Sequence, residues 1–128
     1  MLKDSDFWSD INFFRKSEFT CRCGCSQNNI SHSLVKLLNT ARNISKTPFK
    51  IDSAYRCKEH NSSEEVKGSS TSSHLKGYAV DIRVTNSVHR FKILQALIFV
   101  GFKRIGVYKN FIHCDNDSDK VQNVIWYK

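Results

Sequence analysis

Ser72-Ser73-His74-Leu75-Lys76-Gly77-Tyr78-Ala79-Val80-Asp81 passes from polar residues into a strand. From Ala79 to Val84 the side chains alternate, with Ala79, Asp81 and Arg83 on one face and Val80, Ile82 and Val84 on the other. A carboxylate is thereby aimed away from the apolar face. A second strand, Phe111-Ile112-His113-Cys114-Asp115, supplies another imidazole. Two imidazoles and a carboxylate are the donors of a zinc that keeps one coordination position for water. Gly77, between His74 and Asp81, lets the backbone turn tightly or approach a metal. Spacing alone favours plainer readings, a satisfied or exposed histidine and a solvated aspartate.

Outward from these strands, Arg104 to Tyr108 pairs with Phe111 to Asp115 through a hairpin turn at Lys109-Asn110. Residues 116–123 form a polar loop, and Val124 to Tyr127 a last strand. Val88, Phe91, Leu94 or Gln95, and Ile98 mark a helix that Gly101 ends. Upstream, Leu34, Leu37, Leu38, Ala41 and Ile44 recur at helical steps, with Ser31 or Ser33 as cap and His32 on the surface. Pro48 breaks that pattern before a short strand, Phe49 to Ser53. Residues 58–73 are polar and rich in serine, which predicts a long surface loop leading into His74. Phe7, Trp8, Ile11, Phe13, Phe14 and Phe19 predict an apolar arm packed across the fold, partly helical.

A chain of 128 residues fits a single α+β domain, residues 1–128, with an antiparallel sheet and helices packed on it. The apolar fraction of 40% and the nine phenylalanines are enough to build one core, which argues against disorder. No apolar run approaches the roughly 20 residues that span a bilayer, and the first residues lack a secretory signal. Synthesis in the cytoplasm and no membrane span are expected. The net charge of +8 is spread along the chain, which suits an anionic partner without naming one. No aromatic-basic stacking motif or recognition helix is visible, so no specific nucleic acid is expected.

Five cysteines, an odd number without a signal peptide, argue against a disulfide-built scaffold. Cys21-Arg22-Cys23-Gly24-Cys25 would place three thiols on one face if extended. The C-x-C-x-C spacing is not the C-x-x-C of common structural zinc sites. It favours reduced or partly oxidised thiols over a second metal that would use Cys57.

Several segments, in order, resemble the zinc D-Ala-D-Ala carboxypeptidase family. They are Glu18 to Cys25, Ser53-Ala54-Tyr55-Arg56-Cys57, His60-Asn61, the S-x-H-x-x-G-x-A-x-D block from Ser72 to Asp81, Gly106-Val107-Tyr108, and Phe111 to Asp115. The resemblance runs from about residue 11 to residue 127. This family of metallopeptidases includes phage endolysins that cut peptidoglycan stem peptides, and it shares a fold with the hedgehog signalling domain.

The resemblance implies that His74, Asp81 and His113 hold Zn2+ and that Arg56 binds a substrate carboxylate. Ser72 would bond substrate or an oxyanion, or fix the loop, while His60 and Asn61 would be scaffold. The implied activity is hydrolysis of stem-peptide bonds by metal-activated water, as a carboxypeptidase or an endolysin-type endopeptidase. A monomer acting on peptidoglycan peptides after release, or as part of a phage system, would fit. The sequence departs from the family at one position. Many members carry a carboxylate three residues before the last histidine, where this chain has Asn110. Asp115 is the substitute base or, equally, the group that orients His113; Glu64 and Glu65 are more remote candidates. A catalytically inactive, zinc-stabilised cell-wall-binding or structural module is the alternative.

Overall fold

The computed structural model describes residues 3–63 and 68–128. Helix α1 (Asp4–Ser9) and a 3-10 turn (Lys16–Phe19) form the N-terminal arm. Phe7, Phe14 and Phe19 are buried, and the Phe14 ring packs against Phe19 and Phe49. The arm is anchored because these rings remove too much apolar surface from water to let go.

Helix α2 (His32–Ser45) starts where the Ser31 hydroxyl accepts from the Leu34 amide, at 3.3 Å. Leu34, Val35, Leu38 and Ala41 face the core, whereas Ile44 is exposed. Lys46 ends the helix in the left-handed conformation, and Pro48 prevents its continuation. His32 stays at the surface, where its ring stacks on Phe7 and meets Asp4.

Strand β1 (Ile51–Ser53) leads to helix α3 (Lys58–Ser62), then to β2 (Ala79–Arg83) and α4 (Ser87–Val100). The expected unbroken loop over residues 58–73 therefore begins with a short helix. Its buried Asn61 bonds the Ser69 carbonyl at 2.8 Å and ties the segment down. Helix α4 ends at Gly101, with φ +106°, but not with the face that its spacing suggests. Val88, Phe91 and Ile98 are exposed; Ile93, Ala96 and Leu97 are buried. This helix is apolar nearly all round, so spacing cannot choose a face. Packing against α2 and the sheet does.

Strands β3 (Arg104–Val107), β4 (Phe111–Asp115) and β5 (Val124–Tyr127) complete a five-stranded sheet in the order β1-β2-β4-β3-β5. The α+β class holds, but the sheet is mixed. Three pairings are antiparallel, and β3–β5 is parallel. The reason lies in register: β4 ends with Asp115 opposite Arg104, the first residue of β3. A short loop returning from that point reaches the start of β3 and must run alongside it in the same direction.

Val80, Ile82, Ile105, Ile112 and Cys114 point from the sheet into the core with α2 and α4. The opposite face is left for chemistry.

Candidate metal centre

Sheet register aligns the polar face. Asp81 pairs with His113, His113 with Gly106, and Gly106 with Trp126, so these four residues form one row across β2, β4, β3 and β5. In the next row Asp115 stands between Ala79 and Arg104. Directly opposed residues share a face, which is why strand alternation brings Asp81 and His113 together. His113 Nδ1 lies 3.0 Å from Asp81 Oδ1. Gly106 is required by the row, since a Cβ there would collide with the Trp126 indole.

His74 arrives from outside the sheet, on a run of tight turns over residues 69–77. Gly77 turns with φ +76°, and a Cβ there would strike the backbone of Asn29. Its close approach is thus to the chain preceding α2. The Ser31 amide donates to the Gly77 carbonyl at 2.8 Å. His74 is buried, and its Nδ1 donates to the Ala54 carbonyl at 2.7 Å. That bond fixes the tautomer and turns Nε2 toward Asp81 Oδ2, 3.4 Å away.

One donor atom from each of His74, Asp81 and His113 can be chosen so that all lie within 4.8 Å of one another. Donors about 2.1 Å from a tetrahedral zinc stand about 3.4 Å apart, close to the separations between Asp81 and the two rings. The electrostatics point the same way. Burial opposes charge on Asp81, yet the two histidines hold its carboxyl far below the usual range. Burial also opposes charge on His113, but Asp115 and Asp81 raise its pKa. Two carboxylates flank this ring and demand positive charge between them. A divalent cation held there would meet that demand. The donor set therefore fits zinc.

Asp115 is 1% exposed and fully engaged. Its Oδ2 faces His113 Nε2 at 2.7 Å, and its Oδ1 accepts from Arg104 Nε at 2.8 Å and the Asp117 amide at 3.2 Å. Burial would raise its pKa, but His113, Asp117 and Arg104 bring it below the ordinary carboxylate value. This is the environment of a group that orients a histidine.

Arg56 is half-buried, and its guanidinium donates to Ser72 Oγ at 3.1 Å. Ser72 Oγ also accepts from the His74 amide at 3.2 Å, so it joins Arg56 to the loop of His74. The Arg56 Nε is buried without a partner among the described residues. Burial lowers the Arg56 pKa, and the Asp81 carboxylate opposes that effect. Asn110 lies in the β3–β4 turn, where its carbonyl accepts from the Val84 amide. Glu64 and Glu65 lie outside the described residues.

Three supports escaped the sequence reading. Asp117, fully buried in what reads as a polar loop, bonds Ser73 Oγ at 2.7 Å and Lys76 Nζ at 3.0 Å, clamping the His74 loop to the end of β4. Arg104 holds Asp115 and lies over the Trp126 ring, 5.1 Å from its centre. Trp126 itself stands 5.6 Å from the His113 ring and donates to the Tyr108 hydroxyl. The signal for Asp117 was present: His113, Asp115 and Asp117 continue one alternation past the strand end.

Residues 12–115 match the family Peptidase M15. The chain belongs to that family. No curated protein matches it. M15 membership bears out the resemblance read from the sequence, and it makes the chain a member of a zinc-dependent peptidase family. The matched span contains His74, Asp81, His113, Arg56 and Asp115, but ends before Asp117 and Trp126.

Proposed function

We propose that residues 1–128 form one zinc peptidase domain that hydrolyses peptide bonds in the stem peptides of bacterial peptidoglycan, with His74, Asp81 and His113 as metal ligands. The observation that carries this reading is the convergence of those three donors, with Arg56 tied through Ser72 to the His74 loop, in a chain of the M15 family. Zinc bound there would supply Lewis acidity and lower the pKa of water.

This chain's own residues do the rest. His74 is locked by the Ala54 carbonyl with Nε2 facing the centre, and Asp115 holds His113. Arg56, a planar and permanently charged fork, binds a substrate carboxylate; Ser72 keeps that fork and the His74 loop in one arrangement. Asp115 acts as a positioning residue, since both its oxygens are engaged and its pKa is low. The basic surface favours approach to an anionic wall polymer.

A second reading has its own support. Asn110 replaces a family carboxylate and Asp115 is engaged, which suits a zinc-stabilised binding or structural module that has lost its base. One experiment separates the two. Purified peptidoglycan is incubated with the protein, with zinc and then with a chelator, and released fragments are identified by mass spectrometry. Chelator-sensitive release establishes the peptidase and names the bond. Zinc-loaded protein that releases nothing, yet sediments with the wall, establishes the module.

A further inference from the structure

Outside the histidine centre, the described residues contain a second group of metal-binding donors, formed by the early cysteines. Cys21, Cys23 and Cys25 follow the 3-10 turn of the arm, and Cys57 caps α3. The thiols do not line up along an extended strand. The chain turns at residues 22–25, with Gly24 at φ +90° and Ser26 at φ +64°, and wraps the sulfurs around one point. Cys21 Sγ lies 3.5 Å from Cys23 Sγ, and Cys23 Sγ lies 3.6 Å from Cys57 Sγ. All four sulfurs are within 4.8 Å of one another.

These separations discriminate between the chemistries open to four thiols. A disulfide needs about 2.05 Å. Four thiolates about 2.3 Å from a tetrahedral zinc stand about 3.8 Å apart, which is the spacing approached here. Polar hydrogens surround the sulfurs as well. The Cys57 amide donates to Cys21 Sγ at 3.3 Å, the His60 amide donates to Cys57 Sγ at 3.4 Å, and His60 Nδ1 lies 3.3 Å from Cys21 Sγ. Such donors stabilise negative sulfur and orient metal ligands.

We propose that Cys21, Cys23, Cys25 and Cys57 bind a structural zinc ion, distinct from the histidine centre, that staples the N-terminal arm to the segment carrying Arg56. The path from staple to site is short. Arg56 immediately precedes Cys57, and its amide donates to the His74 carbonyl at 3.1 Å. The Tyr55 amide donates to Phe19 of the arm, and Arg22 reaches the Ile51 carbonyl at 2.9 Å. A cation at the sulfurs would hold this crossing where the apolar contact is small, a cluster of Cys21, Tyr55 and Cys57. This ion is independent of whether the histidine centre hydrolyses anything.

The test uses the whole chain, purified under reducing conditions with zinc and then desalted. Metal content is measured for the wild type, His113→Ala and Cys25→Ser. Cys25 is exposed, so its replacement removes a ligand without opening the core. The wild type should retain about two zinc ions and each variant about one, since a donor lost from either set releases its ion. Cobalt-loaded His113→Ala should show intense thiolate-to-cobalt charge-transfer absorption, which His113→Ala/Cys25→Ser should lack. Circular dichroism establishes that the variants are folded. A wild type with one zinc ion, unchanged by Cys25→Ser and without charge-transfer bands in its cobalt form, would overturn the proposal. So would intact mass showing a disulfide among the four cysteines in protein purified under reducing conditions.

Discussion

Asp81, His113 and Asp115 stand on paired strands, whereas His74, Ser72 and Arg56 reach the same centre from segments without a ladder. On the sheet, hydrogen-bond register fixes Asp81 opposite His113, and a one-residue slip of either strand would turn its residue into the core. Off the sheet, each position depends on a few buried or part-buried polar bonds: Ala54 to His74, Asp117 to Ser73 and Lys76, and Ser72 to Arg56. The strand half is specified by the fold as a whole. The loop half is specified by individual atoms, so single substitutions outside the centre should disturb it far more readily.

Substitutions can break that contrast. The largest effect is expected from His113→Ala, which should reduce stem-peptide hydrolysis to background and zinc affinity at the histidine centre by at least about 100-fold, read by fragment mass spectrometry and competition with a chromogenic chelator. Next is Asp117→Ala, which leaves the ligands untouched but removes the buried clamp of the His74 loop. It should cost about 3 kcal/mol in urea unfolding and weaken zinc binding as well. Loss of stability with zinc affinity intact would show that the loop half does not depend on its clamp.

Asp115→Asn tests the strand half. Zinc affinity should fall by about 10- to 100-fold. Zinc bound at His113 would compete with a proton on that ring, so affinity in the parent protein should rise with pH through the raised His113 pKa. Without the Asp115 charge, that pH midpoint should move downward, a shift that mere loss of packing would not produce. The metal-free protein carries the opposite sign. A raised folded-state pKa gives stability that is present at low pH and lost as pH rises through it. Smaller again is Arg56→Lys, expected to raise KM roughly tenfold with little change in kcat, because a point charge replaces a bidentate fork. Asn110→Ala should change turnover least, since the contact that the turn makes there is through its backbone.

The same contrast explains what was legible in the sequence. Period-two alternation aimed Asp81 away from the apolar face of its strand, and the last strand, Val124 to Tyr127, was readable from its residues; that His113 stands opposite Asp81 came from register. The direction of β5 was not readable, because it depends on where β4 ends relative to β3. Helix α4 could be located by its cap but not by its buried face, because apolar residues surround its axis. Alternation from His113 and Asp115 gave the face of Asp117 but not its burial, because a buried aspartate and a solvated one look alike until Ser73 and Lys76 are brought to it from more than 40 positions away. Arg56 and Ser72 carried no periodic signal, and only the resemblance singled them out. The clustering of the cysteines was not legible for a local reason: an extended C-x-C-x-C spaces its thiols along a line, and the positive-φ turn at Gly24 folds that line into a cup.

Trp126 sits beside the His113 ring with an arginine over its own, while the other tryptophan, Trp8, lies in the arm against Phe19. In a Trp8→Phe background the remaining indole would give the centre an optical voice of its own. Because its emission responds to nearby charge, arrival of a cation or a substrate could be followed in real time without a label.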